Sequence, residues 1–204
     1  MFKPVALLLG FAMLSACSGG GGGNGGGNEF VPPEPEDTNI INIQPGENFE
    51  TELKTALIEA QPGNIIVLPE GEFAMKSGLS LDVSNVTVRG QGQAETILNF
   101  ANSEGGDGFL VTSNNSVLEN FALLDTPGDG IKFKGSNGVT IRGMRVEWTC
   151  GPCEENGAYA IYPVQSKNVL IEDSIAIGAS DAGVYVGQSD KVIVRRNTAR
   201  LNVA

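Results

Sequence analysis

Three segments of this chain align with one another without gaps: "GIKFKGSNGVTIRGMRV" from Gly130, "AIYPVQSKNVLIEDSIAI" from Ala160 and "GVYVGQSDKVIVRRNTA" from Gly183. In each, a small residue opens an alternating apolar run. A serine follows at the same offset (Ser136, Ser166, Ser189), then a valine (Val139, Val169, Val192), then Ile141, Ile171 or Val194. A looser copy, "GFLVTSNNSVLENFAL" from Gly108, puts Leu118 in the Ile141 position, and "NVTVRG" from Asn85 supplies Val88. The equivalents Val88, Leu118, Ile141, Ile171 and Val194 are spaced 30, 23, 30 and 23 residues apart.

This period constrains the fold more than any other feature. The apolar alternation has period two, which is that of a strand, and about 23 residues is too short for a pair of helices. Each unit holds three short strands separated by turns rich in Asn, Gly and Ser. A unit so small cannot close a core by itself, so copies must stack, each strand pairing with its equivalent in the next. The expected architecture is all-β: a single-stranded parallel β-helix, a solenoid rising about 4.8 Å per coil. Ile131 and Phe133, Ile161 and Pro163, and Val184 and Val186 are expected to point inward, with Lys132, Tyr162 and Tyr185 outward. The alternation of spacings implies two coils with extra residues, one between Gly90 and Asp107 and one at "EWTCGPCEENGAY", Glu147 to Tyr159. Both are expected between the third strand of one coil and the first strand of the next.

Upstream, "ENFETELKTALIEAQPGNIIVLPEGEF" reads as an amphipathic helix and an opening strand. Phe49, Leu53, Leu57 and Ala60 share one face, and Pro62-Gly63 ends the helix. A helix laid across an open end protects exposed strand edges, so this one is expected to be an N-terminal cap. At the other end, "ARLNVA" stops where another first strand is due, and the solenoid is expected to be C-terminally incomplete.

The residues before the repeats carry a different message. "MFKPVALLLGFAMLSAC" has one lysine, an apolar run too short to span a bilayer, and small residues fitting a cleavage site. Residues 1–16 are expected to be a signal peptide. "LSAC" resembles a lipobox, which implies acylation of Cys17 and a membrane anchor. Ser18 at the following position implies outer-membrane sorting by the same likeness. Residues 17–39, Gly-rich and then Pro/Glu-rich, cannot bury a core and read as a tether. Residues 40–204 then form the β-helix domain.

Charge and composition narrow the function. The net charge is −11, and from Ile65 onward 16 acids face 11 Lys/Arg. That balance argues against nucleic acid, which requires a basic face. The chain has no histidine, which removes the commonest general base and zinc ligand.

"GNIIVLPEGEF", "VTVRGQGQAETIL", "GDGIKF" and "SDAGVYVGQS" together resemble the right-handed parallel β-helix proteins of the pectate-lyase-like superfamily, and among them bacterial repeat lipoproteins. The resemblance implies a polysaccharide groove along the first strands of the coils. In this sequence it would be lined by Tyr162 and Tyr185 on the strands and by Asp129, Tyr159 and Asp181 just before them. Tyrosine rings can stack on sugar faces, but an outward tyrosine ladder also stabilises stacked strands. Asp107 and Asp129, each in "GDG", are expected to make side-chain hydrogen bonds to a turn backbone. Asp129, Asp181, Glu154 and Glu155 offer oxygens for Ca2+. Lys132 would serve as a catalytic base if burial lowered its pKa.

Cys150-Gly-Pro-Cys153 matches the thioredoxin dithiol in sequence only. That chemistry needs a helix N-terminus, and here the motif sits between two strands. With Cys17 lipidated, Cys150 and Cys153 are the remaining pair in an oxidising compartment, and a local disulfide is expected. Two functions from different classes follow: a binding surface for a carbohydrate or an envelope protein partner, or a lyase or epimerase acting on a uronate polymer.

Overall fold

The computed structural model describes residues 39–203. The expected signal peptide, Cys17 and all but the last residue of the expected tether lie outside the described residues. Among the described residues seventeen strands and one helix follow one another, and every strand pair is parallel.

The strands sort into three sheets, one for each strand of the repeat. The first sheet stacks Leu79–Leu81, Phe109–Val111, Ile131–Lys134 and Ile161–Val164. Isolated bridges from Ile161 to Val184 and from Val164 to Gly187 extend it by one more coil. The second sheet stacks Ile40–Asn42, Ile65–Val67, Thr87–Arg89, Val117–Glu119, Thr140–Arg142, Lys167–Glu172 and Asp190–Arg195. The third runs from Gly71–Ala74 through Thr96–Asn99, Ala122–Leu124, Arg145–Glu147 and Ile175–Ile177 to Thr198–Arg200.

The register is the one the repeat demands. Val88 pairs with Leu118, Leu118 with Ile141, Ile141 with Ile171 and Ile171 with Val194. The first four of these are wholly buried. A Leu or Ile buried in this way contributes roughly 1.5–3 kcal/mol. The serines form a column as well: Ser166 Oγ accepts the Ser136 N–H at 3.2 Å, and Ser189 Oγ accepts the Ser166 N–H at 3.1 Å.

The corners explain the turn composition. Asn85, Asn115, Gly138, Asn168 and Lys191 hold equivalent places just before or at the start of the second-sheet strands, and all have positive φ. Asn120, Gly143, Asp173 and Arg196 repeat the pattern just after those strands. Asn and Gly tolerate this left-handed conformation best, which is why they recur. The asparagines also ladder: Asn115 donates to Asn85 Oδ1, and Asn168 to Asn137 Oδ1.

The helix spans Phe49–Glu59 and packs on Gly71–Ala74 and Leu79–Leu81 with Phe49, Leu53, Ala56 and Leu57 buried. The Phe49 and Phe73 rings stack at 3.7 Å. Glu50 accepts the Lys76 and Ser77 N–H groups, pinning the cap to a corner.

Three expectations need correction. First, a strand precedes the helix: Ile40–Asn42 pairs with Ile65–Val67, so the second sheet begins one strand earlier than the repeat shows. Second, the earlier insertion is divided between two corners. Residues 90–95 separate Thr87–Arg89 from Thr96–Asn99, where Asn120 and Phe121 alone suffice one coil later. The remainder falls at residues 100–108, between a third-sheet and a first-sheet strand. Spacing between columns counts residues without saying at which corner they bulge. Third, Val186 is 42% exposed although its alternation points inward, because no further coil covers it within the described residues.

Candidate functional site

The outward face of the first sheet carries one column of side chains in strict register. Ser80 pairs with Leu110, Leu110 with Lys132 and Lys132 with Tyr162, and the Ile161–Val184 bridge brings Tyr185 alongside. A second column runs along the corner just before these strands: Asp107, Asp129, Tyr159 and Asp181. Backbone bonds fix it, since Gly108 N–H donates to Asp129 O, Gly130 N–H to Tyr159 O and Asp181 N–H to Ala158 O.

The three tyrosines form one cluster. Tyr159 stacks on Tyr185 with centroids 4.6 Å apart and planes 16° from parallel. Tyr162 tilts against both, at 4.8 Å from Tyr159 and 5.5 Å from Tyr185. Tyr185 is 44% exposed and offers the largest free aromatic surface of the three.

Lys132 sits at the edge of this cluster. Its Nζ lies 2.9 Å from Asp129 Oδ2, 3.6 Å from Asp107 Oδ2 and 5.1 Å from the Tyr162 ring centroid. Partial burial alone would lower its pKa. The hydrogen bond to Asp129 and the charges of Asp107 and Asp129 outweigh that, and the ammonium is held above the ordinary lysine value. The condition under which Lys132 would act as a base is therefore reversed: it is a fixed cation. Asp107, expected only to bond a turn backbone, is the second carboxylate beside this lysine. The signal for its role is the repeated "GDG", which places Asp107 one coil before Asp129.

Both aspartates also hold their neighbours' corners. Asp107 Oδ1 accepts the Asp129 N–H, and Asp129 Oδ1 accepts the Tyr159 N–H, each at 3.2 Å. Asp129 thus spends both oxygens within the protein. Desolvation and the nearby Asp181 carboxylate raise the Tyr159 phenol above the usual tyrosine range, which keeps it a neutral donor.

The proposed calcium ligands do not come together. Among the described residues no group of three or more Asp, Glu, Cys or His side chains is arranged around a common point. Asp129 is committed to Lys132 and Tyr159, and Glu154 and Glu155 are exposed on a separate loop. Glu155 lines a cleft of about 350 Å³ with Phe100, Ser103, Asp125, Pro127 and Trp148. That cleft exists because the short corner 125–130 lies between the long corners 100–108 and 148–160.

The long corner is well anchored. Trp148 is buried and its Nε1 donates to Thr126 O at 2.7 Å. Asn156 Nδ2 bridges Gly151 O and Gly178 O, both at 2.6 Å. Position 157 must be glycine, because a Cβ there would lie 1.8 Å from Gly128 O and 2.8 Å from the Trp148 ring. Cys150 and Cys153 are joined in a disulfide, and no helix begins at either. The arginines lie on other faces: Arg142 and Arg195 in the second sheet, Arg145 in the third.

The model of the "right handed beta helix region" matches residues 73–204, well over half the chain. The chain belongs to the right-handed β-helix family. No curated protein matches it. Among solved structures, this β-helix is similar to an alginate lyase from Paenibacillus sp. str. FPU-7, with 20% identity and a TM-score of 0.59. That match covers 74% of this chain and 55% of the lyase, so the chain spans little more than half the lyase's length. It is also similar to a putative glycosyl hydrolase from Parabacteroides merdae, with 15% identity and a TM-score of 0.51 over 74% of this chain and 88% of that one. A third likeness is ORF18 of Geobacillus virus E2, at 13% identity and a TM-score of 0.53, covering 79% of this chain and 41% of that one. At these identities the likeness is one of fold.

Proposed function

We propose that this β-helix is the binding domain of a cell-envelope lipoprotein, tethered to the outer membrane through Cys17, and that the first-sheet face is its carbohydrate-binding surface. The observation that carries this reading is the tyrosine cluster. Three rings from adjacent coils pack into one rigid aromatic patch whose outermost ring, Tyr185, faces solvent beside fixed polar groups. An exposed aromatic ring held in place by its neighbours suits the apolar face of a sugar ring. An envelope protein partner on the same face is the other form of a binding role.

The lyase or epimerase reading on a uronate polymer shares the fold with the alginate lyase named above. The lysine that would serve it as a base is held protonated between two carboxylates. The binding reading is therefore favoured.

The test is a binding screen of the full chain against immobilised glycans, followed by titration calorimetry on the hits. Tyr185→Ala is expected to weaken binding about two- to tenfold, the loss of one aromatic contact of roughly 0.5–1.5 kcal/mol. Absence of binding to every glycan, or an indifferent Tyr185→Ala, would refute the glycan reading. A rise in ultraviolet absorbance from an unsaturated product on alginate or pectate would establish the lyase instead. Cys17→Ala is expected to release the protein from membranes into the soluble fraction.

A further inference from the structure

We infer that the open strand edge beside the capping helix is a docking site for an extended, lysine- or arginine-bearing segment of a partner protein, which adds to the second sheet as one more strand. This surface is separate from the first-sheet face, and the inference does not rest on the carbohydrate reading. Ile40–Asn42 is the terminal strand of the second sheet. Ile65–Val67 pairs with one side of it, and among the described residues no strand pairs with the other. Ile43 N–H donates to Val67 O. Backbone groups alternate sides along a strand, so Ile41 and Ile43 face Ile65–Val67, while the N–H and C=O groups of Ile40 and Asn42 face away. Both of these residues are exposed, Ile40 by 42%. Asn42 O accepts a bond of 3.4 Å from Gln44 Nε2, at the long limit for such bonds. An edge of this kind is a template for an added strand.

A groove flanks this edge. The helix packs on the end strands of the other two sheets, Gly71–Ala74 and Leu79–Leu81. Between it and Ile40–Asn42 lies a cleft of about 420 Å³. Ile41, Ile43 and Ala56 supply its apolar lining, and Glu52 and Glu59 stand at the helix side. Main-chain bonds at the edge would give such a contact its affinity, and the groove would select among side chains.

Charge complementarity names the occupant. Glu52 and Glu59 are exposed and about two helical turns apart on the same wall. Among the described residues neither forms a salt bridge, and the helix's one lysine, Lys54, is held by Glu50. The last helical turn has no basic residue, so the negative end of the helix dipole adds to Glu59. A basic side chain meets this field favourably, and two rival occupants meet it badly. A second copy paired edge to edge would set Glu52 and Glu59 against their own counterparts. The stretch that precedes the strand, "EFVPPEPED", is acidic, has no lysine or arginine, and lacks strand donors at Pro32, Pro33 and Pro35.

The experiment is amide hydrogen exchange on the full chain, alone and with short synthetic peptides in which lysine alternates with valine or threonine. Alone, the Ile41 amide is expected to be protected and those of Ile40 and Asn42 to exchange freely. The lysine peptides are expected to protect Ile40 and Asn42. In anisotropy titrations at low salt, counterparts with glutamate for lysine are expected to bind about tenfold more weakly. Peptides with N-methylated backbone amides should not bind. Glu59→Gln is expected to weaken the lysine peptides about two- to fivefold, the loss of one exposed charge pair. Asn42→Pro removes an edge donor that faces away from Ile65–Val67, and should abolish binding while leaving the melting temperature close to that of the unaltered chain. Failure of the lysine peptides to protect Ile40 and Asn42, or equal or tighter binding of the glutamate peptides, would overturn the inference. So would protection of both amides in the free protein: in a monomer the chain's own preceding stretch then takes the edge, and in a dimer a second copy does. None of these results bears on the carbohydrate reading, whose test is Tyr185. The peptide comparison on the unaltered protein needs no variant to fold.

Discussion

Arg142 donates from Nε to Glu172 Oε1 across 2.8 Å, one coil further along the chain. This pair is one rung of a longer column. The register aligns Arg89, Glu119, Arg142, Glu172 and Arg195 on the outer face of the second sheet, so charge alternates from coil to coil. Arg195 and Arg196 both reach Glu172 Oε2 at 2.7 Å. Hydrogen bonds from Arg142 and Arg195 lead in depressing the Glu172 pKa, from 4.5 to about 2. A depressed carboxylate stabilises the fold above its unfolded pKa and loses that contribution as pH falls toward the folded one. Melting temperature is therefore expected to decline between pH 4.5 and about 2. Glu172→Gln should be less stable than the unaltered chain at neutral pH and show a flatter acid limb over that window. Thermal melts across pH decide it, and parallel acid limbs would refute it.

Trp148→Phe keeps most of a buried ring and removes the indole donor to Thr126 O. A buried carbonyl left without its partner costs about 1–3 kcal/mol. Urea unfolding should show a loss of that size, and a change within error would mean that the corner does not depend on this bond.

Loss of the disulfide should matter less. The ring closed by Cys150 and Cys153 is very small, so chain entropy gives it at most about 2 kcal/mol. Asn156 and Trp148 hold the same loop without it. The double variant Cys150→Ser/Cys153→Ser is expected to unfold at slightly lower urea and to keep glycan affinity. Thiol titration of the unaltered, unreduced protein should find neither cysteine free.

Lys132→Met should leave two facing carboxylates without their cation, at a cost of about 1–3 kcal/mol near neutral pH. The lysine pKa is raised above 10.5 in the fold, so its contribution is complete below that value and fades as pH climbs through the raised one. The stability gap between the two proteins should therefore be constant at neutral pH and narrow in strong alkali. A gap independent of alkali would show that charge on Lys132 is not the cause.

The coil was legible because its signals are local and repeated. Apolar alternation fixed which of Ile131, Lys132 and Phe133 faces inward, and the spacing of Val88, Leu118, Ile141, Ile171 and Val194 fixed the register. The outward placement of Tyr162 and Tyr185 followed from the same alternation. What could not be read were relations across coils. The Arg–Glu column emerges only when Arg142 and Glu172, 30 residues apart, are laid side by side. The second carboxylate on Lys132 was hidden in the same way, since Asp107 lies a coil away. Ile40–Asn42 was missed because a three-residue strand beside a polar segment carries no periodicity of its own. The condition that would make Lys132 a base, a pKa lowered by burial, fails because its two carboxylate partners come from corners that the sequence does not bring together.

The equal rise of every coil turns the first-sheet face into a ruler. Loops at the corners differ in length, yet the backbone bonds between strands keep the graduations about 4.8 Å apart. Lengthening a loop can change what stands at a mark but cannot move the mark. A partner lying along the axis is thus measured against a fixed scale, and an extended polymer with a regular repeat matches such a scale better than a compact molecule does.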